Sequence, residues 1–141
     1  MRFHTLTIVL LCLSFRIQAQ NEPPQVVEIQ DKKLIELMNG LSGDRHIYSS
    51  DFSAKIFEKK NPAGSADLEG THGITSNYLI AISESDDYPT QSLFEIKEFF
   101  APEIIFVVGS DNAFIIRIKH LLKGEWTFTQ LKVEKHSVKI L

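Results

Sequence analysis

The 141-residue chain contains a single cysteine, Cys12, so no disulfide can form within it and its fold must rest on packing. It has no uninterrupted apolar stretch approaching the about 20 residues that span a bilayer as a helix. Its 15 basic and 18 acidic residues make it mildly acidic, without the electrostatic footprint that holds DNA or RNA. None of Asn21, Asn39, Asn61, Asn77 and Asn112 opens an N-x-[ST] sequon. Gly64, Gly70 and Gly73 form neither G-x-G nor G-K-[ST], so no phosphate-cradling loop is expected. Of the histidines beyond the leader described below, His46, His72, His120 and His136 make no close pair and have no thiolate to join them in a zinc site. Glu84, Asp86 and Asp87 lack the alternating spacing and the glycine turn of a calcium loop, and read as a solvated acidic turn. Gly40-Leu41-Ser42-Gly43-Asp44 approaches the G-x-S-x-G nucleophile elbow, but Asp44 replaces the last glycine and the segment follows a helix where a strand is needed. No catalytic, cofactor-binding or metal-ligating residue is therefore assigned, and no cofactor is expected.

What is present begins with a leader. Met1, Arg2, Phe3 and His4 form a short basic head, residues 6–15 an apolar run, and Ala19 a small residue at a cleavage point. That order and length match a secretory signal peptide. Ile17 and Arg16 depart from the A-x-A pattern, so export is better defined than the bond cut. Leu11 stands before Cys12 where lipid attachment asks for a small residue. Residues 1–19 are thus expected to be a signal peptide and 20–141 one domain. Removing Arg2 and Arg16 would leave 13 basic against 18 acidic residues, a net charge of −5. Exported, disulfide-free and without sequons, the chain suits a bacterial envelope or secreted protein, secreted or periplasmic, with no membrane span after cleavage.

Along the domain, Pro23-Pro24 precludes regular structure before them. Asp31 can cap a helix whose stripe is Leu34, Ile35, Leu37, Met38 and Leu41, with Asn39-Gly40 supplying a left-handed end. Residues 25–29 are either its first turns or a separate short strand of β-branched residues. From His46 the period becomes two. Phe52, Ala54 and Ile56 alternate with polar residues, and so do Phe114, Ile116 and Ile118. Tyr78, Ile80 and Ile82 have Leu79 and Ala81 on the opposite face. Residues 58–73 read as a long loop and 84–90 as a turn, at opposite ends of the strand between them. Residues 93–100 form a strand broken by Ala101-Pro102, and 104–108, apolar throughout, should lie mid-sheet with both faces covered. Lys123-Gly124 turns the chain into 126–133, where the apolar phase switches from Trp126 and Phe128 to Leu131 and Val133, implying a bulge near Gln130. Residues 137–141 add a last strand.

These elements predict an α+β class: one N-terminal helix packed on a mainly antiparallel meander of five to seven strands, a small sandwich or partly open barrel. A helix laid across such a meander resembles the cystatin-like and NTF2-like architectures in outline, although the cystatin Q-x-V-x-G loop is absent. Phe94, Phe106, Phe114 and Phe128 are in strand phase and expected in the core. Phe99 and Phe100 must face opposite ways, and Trp126 is the aromatic least suited to burial. The absence of motifs favours a small non-catalytic binding module whose partner is a protein, a glycan or a small apolar ligand, with no nucleic acid; the 58–73 loop is either its binding segment or an insertion that binds nothing. The alternative is a small secreted or periplasmic hydrolase with residues that converge only in the fold.

Overall fold

The computed structural model describes residues 22–62, 65, 73–110 and 112–141. Residues 1–19, expected as a signal peptide, and the greater part of the expected 58–73 loop lie outside the described residues. After Pro23-Pro24 the β-branched run forms a strand, β1 (Gln25–Glu28), rather than helical turns. The helix α1 (Lys32–Gly40) follows, capped by Asp31, whose carboxylate accepts from the Lys33 and Leu34 amides at 3.0 and 3.2 Å. It ends without the left-handed glycine expected at Gly40: the Leu41 cap is extended and its N–H reaches the Leu37 carbonyl at 3.1 Å. The Lys55 ammonium covers the Asn39 carbonyl, placing a cation where the helix dipole is negative.

Seven more strands complete an eight-stranded antiparallel sheet: β2 (Arg45–Tyr48), β3 (Phe52–Lys60), β4 (Thr75–Glu84), β5 (Gln91–Ser110), β6 (Ala113–Leu122), β7 (Glu125–Glu134) and β8 (Ser137–Ile140). They pair in chain order from β2 to β8, while β1 pairs with β5 from Gln25↔Lys97 to Glu28↔Phe94. The described residues thus form a mostly antiparallel sheet with one short helix. It has one strand more than the upper expectation, and the helix comes after the first strand.

The segments expected as two strands around Ala101-Pro102 are one long strand, β5, bent at that place. Register shifts fall between Ser76 and Tyr78 on the β4 side and between Phe100 and Glu103, then Ile104 and Phe106, on the β6 side. Glu98 and Ala101 carry positive φ of 67° and 49°. Bulges of this kind bend a strand and sharpen its twist. Asn77 sits at the first bulge, where its Oδ1 accepts from the Glu98 amide at 3.1 Å and its Nδ2 donates to Glu95 at 2.8 Å.

Bent in this way, the sheet faces itself. Phe52 on β3 and Phe114 on β6 are not strand neighbours, yet their rings meet edge to face at 5.0 Å between centroids. Around them Ala54, Ile56, Ile80, Ile82, Ile96, Phe99, Ile116, Ile118, Leu131 and Val133 close one core. Gly109 lets the Phe114 ring lie against the β5 backbone; a Cβ there would stand 2.6 Å from Phe114 Cδ1. On the outside of β4 and β5, Met38 of the helix packs with Ala81 and Leu93, joined by Leu34, Ile35 and Leu79. The 78–82 segment is therefore covered on both faces, as its residues require. Leu37 and Leu41 point outward, because Met38, Leu34 and Ile35 already fill the narrow contact. At one end Glu84 ties the halves together, reaching Lys135 at 3.0 Å and His136 at 3.3 Å across from the β7–β8 turn.

Three expectations are corrected here. Residues 104–108 are not enclosed: Ile104 and Val107 face the core, but Ile105 and Val108 are exposed. β4 pairs with β5 only as far as Phe100, so beyond it β6 alone is paired with this stretch among the described residues. No bulge occurs at Gln130, because β6 and β7 pair without interruption from Ala113↔Glu134 to Leu122↔Glu125. The phase switch instead leaves Trp126 and Phe128 on the outer face, 55% and 49% exposed. Phe94 and Phe114 are core residues as expected, whereas Phe106 is only partly buried and Phe128 is not in the core. Phe99 is fully buried and Phe100 only partly, in keeping with their opposite facing.

Candidate functional site

Strand alternation carries Arg117 and Lys119 of β6, and Trp126 and Phe128 of β7, to the outer face beyond the bend. The Arg117 guanidinium lies 4.2 Å from the Phe128 ring centroid and 5.9 Å from that of Phe106 on β5. Lys119 Nζ lies 4.5 Å from the Trp126 ring. Such contacts are worth about 0.5–1 kcal/mol each at exposed sites, enough to fix the direction of a side chain that would otherwise sample many rotamers. Neither cation has a carboxylate within ion-pair distance among the described residues, although Lys59, Lys97, Lys132, Lys135 and Lys139 all have one. Glu103 stands opposite Lys119 in the ladder but forms no ion pair with it. Arg117 Nε is buried without a hydrogen-bond partner. Two cations, two residues apart on one strand, are thus held on aromatic supports without an ion pair among the described residues.

At the end of the sheet away from Glu84, the two halves separate into a groove of about 300 Å³. Its walls are Ile56, Pro102 and Ile104, and its charged residues are Asp44, Arg45, Glu58 and Glu103. Gly43 allows the chain entering β2 to press on β3, since a Cβ there would stand 2.9 Å from the Ile56 carbonyl. Asp44 then accepts from the Glu58 amide at 2.8 Å, and Arg45 donates to the Ile104 carbonyl at 3.4 Å. Tyr78 forms the floor, 4% exposed, and its ring packs on Phe99. Burial first, then the Glu58 carboxylate, drives its phenol well above the ordinary range.

A second groove, of about 390 Å³, lies at the root of the 58–73 loop and is lined by Asn61, Thr75, Asn77 and Glu95 among others. Its polar atoms are already paired: Asn61 Nδ2 donates to Thr75 and Asn77 at 2.8 and 2.9 Å, and Asn77 to Glu95. This network holds the bend in shape. As for the hydrolase reading, among the described residues Ser42 meets no histidine, and the two histidine–hydroxyl pairs there are placed otherwise. His120 Nε2 lies 2.8 Å from Thr129 Oγ1, but His120 is fully buried. His46 Nδ1 meets the Tyr48 hydroxyl at 2.6 Å on the exposed strand β2. Among the described residues no three His, Cys, Asp or Glu side chains gather as metal ligands.

Sequence reasoning assigned no site residue and so missed Arg117 and Lys119. Their signal was the phase switch in 126–133: bulky rings appear in the polar phase, each diagonal to a cation of the preceding strand, Phe128 to Arg117 and Trp126 to Lys119. No known family, curated protein or solved structure matches the chain.

Proposed function

We propose that this chain is an exported, non-catalytic binding module that holds an acidic glycan on the outer face of β5, β6 and β7. The observation that carries the reading is the pair Arg117 and Lys119, each steadied by aromatic rings and neither neutralised by a carboxylate. A planar guanidinium fixed in this way is prepared for bidentate pairing with a carboxylate or sulfate. Trp126 and Phe128 offer rigid apolar bodies beside it, suited to the C–H faces of sugar rings. Arg117, Lys119, Trp126 and Phe128 line neither of the grooves described above; Glu103, opposite Lys119 in the ladder, is the residue of this face that borders the first. A protein partner usually anchors its central side chains in pockets, while a chain of charged rings can lie along a flat face.

Polygalacturonate, with neutral dextran as control, tests this by calorimetric titration. The protein is expected to bind the former and not the latter, with affinity falling as salt rises. Arg117→Gln and Lys119→Gln, both on the outer face, are each expected to weaken binding about tenfold, the scale of one charge-assisted contact. Equal binding by the double variant would refute the assignment.

A further inference from the structure

We propose that the open end of the sheet, floored by Tyr78, is a second binding site, which takes a small organic amine in its ammonium form. The groove of about 300 Å³ is at the lower end of the size range of small-molecule sites. Asp44, Glu58 and Glu103 outnumber Arg45 among its charged residues. None of the three carboxylates forms an ion pair among the described residues, unlike Glu84, Glu95 and Glu134. Arg45 is turned toward the Ile104 carbonyl. The site is therefore electronegative; Ser76 Oγ donates to Glu58 Oε1 at 2.7 Å and the Glu58 amide to Asp44 Oδ2 at 2.8 Å, which leaves the second oxygen of each carboxylate and the whole of Glu103 for a ligand.

The second observation is independent of the acids. Tyr78 is 4% exposed and lines this groove, and its hydroxyl has no hydrogen-bond partner among the described residues. The side-chain atoms buried without a partner among the described residues belong to Asn39 and Arg117, so the Tyr78 oxygen opens to the groove and needs a donor there from water or a ligand. An ammonium fits this need. It has three donors, which can be shared between the Tyr78 oxygen and the carboxylates of Glu58 and its neighbours. Ile56, Pro102 and Ile104 supply apolar walls for the carbon body. An anionic ligand would meet the acids, and a neutral one would leave them unused.

This site is on the mouth of the fold and the glycan face is on its outside, so either can fail alone. Putrescine, 2-phenylethylamine and choline are titrated into the purified protein and followed by amide chemical shifts, with butanediol as the neutral isostere. Saturable shifts at Glu58, Tyr78 and Ile104 are expected with at least one primary amine and not with butanediol. Tyr78→Phe keeps the ring that packs on Phe99 and removes only the hydroxyl; Glu58→Gln keeps the shape of the rim. Each is expected to weaken amine binding by several-fold to tenfold while leaving polygalacturonate binding unchanged. The proposal is overturned by the absence of saturable binding for all three probes at millimolar concentration, by equal response to butanediol, or by full affinity in both folded variants. Tight binding of choline with no primary-amine preference would also overturn it, since that ligand has no N–H to give to Tyr78.

Discussion

His120 shows how strand alternation places a residue whose type alone does not say where it lies. In a strand that alternates Phe114, Ile116 and Ile118 inward, position 120 continues the inward phase, and the histidine is fully buried between Phe99, whose ring it meets at 5.0 Å, and Thr129. Burial lowers its pKa below the ordinary 6.5, opposed by the Leu121 carbonyl. In the folded protein it stays neutral where the unfolded chain would take up a proton. Stability is therefore complete above about pH 6.5 and falls as the pH drops from there to the lowered folded value. His46 is shifted in the same direction and contributes to the same window. Denaturant unfolding at about pH 8 and about pH 5 should show a loss of stability in acid that is smaller in His120→Gln, which keeps a partner for Thr129 but does not titrate. An unchanged loss in the variant would assign the whole effect to other groups.

At the scale of elements, most strands were legible because one face of each is buried, which imposes a period of two. Phe52, Ala54 and Ile56, and Tyr78, Ile80 and Ile82, point where alternation puts them. The Asp31 cap and the Lys123-Gly124 turn, with φ of 54° and 81°, were equally plain. β5 was not legible as one strand, because its bend depends on partners distant in sequence. Ala101-Pro102 looks like a break, and only pairing with β4 before it and β6 after it makes it a bend. Residues 104–108 misled for a related reason: an apolar run suggests enclosure, whereas a sheet that folds over needs apolar residues inside and leaves some on its outer edge. The bend has its own test in Asn77. Asn77→Ala removes the acceptor of the Glu98 amide and the partners of Asn61 and Glu95, and is expected to cost about 1–3 kcal/mol in chemical denaturation. A change within about 0.5 kcal/mol would mean that the bulge holds without it.

For the molecule as a whole, the two proposed sites follow from a single feature, the folding of one sheet upon itself. The inner faces close a core and leave a mouth at one end, while beyond the bend no helix among the described residues covers the outer face. α1 covers only the β4–β5 side, so Phe106, Phe128 and Trp126 are left to be steadied by Arg117 and Lys119. Neither site was visible as a motif, because each is assembled from strands or loops brought together by pairing. Trp126 is the only tryptophan of the chain and is 55% exposed on the face assigned to the glycan, so its fluorescence reports on that face alone. Titration with polygalacturonate is expected to shift its emission to the blue and to protect it from acrylamide quenching, with both changes lost in Arg117→Gln/Lys119→Gln and absent with dextran. Emission and quenching that stay constant through the titration would contradict the central claim.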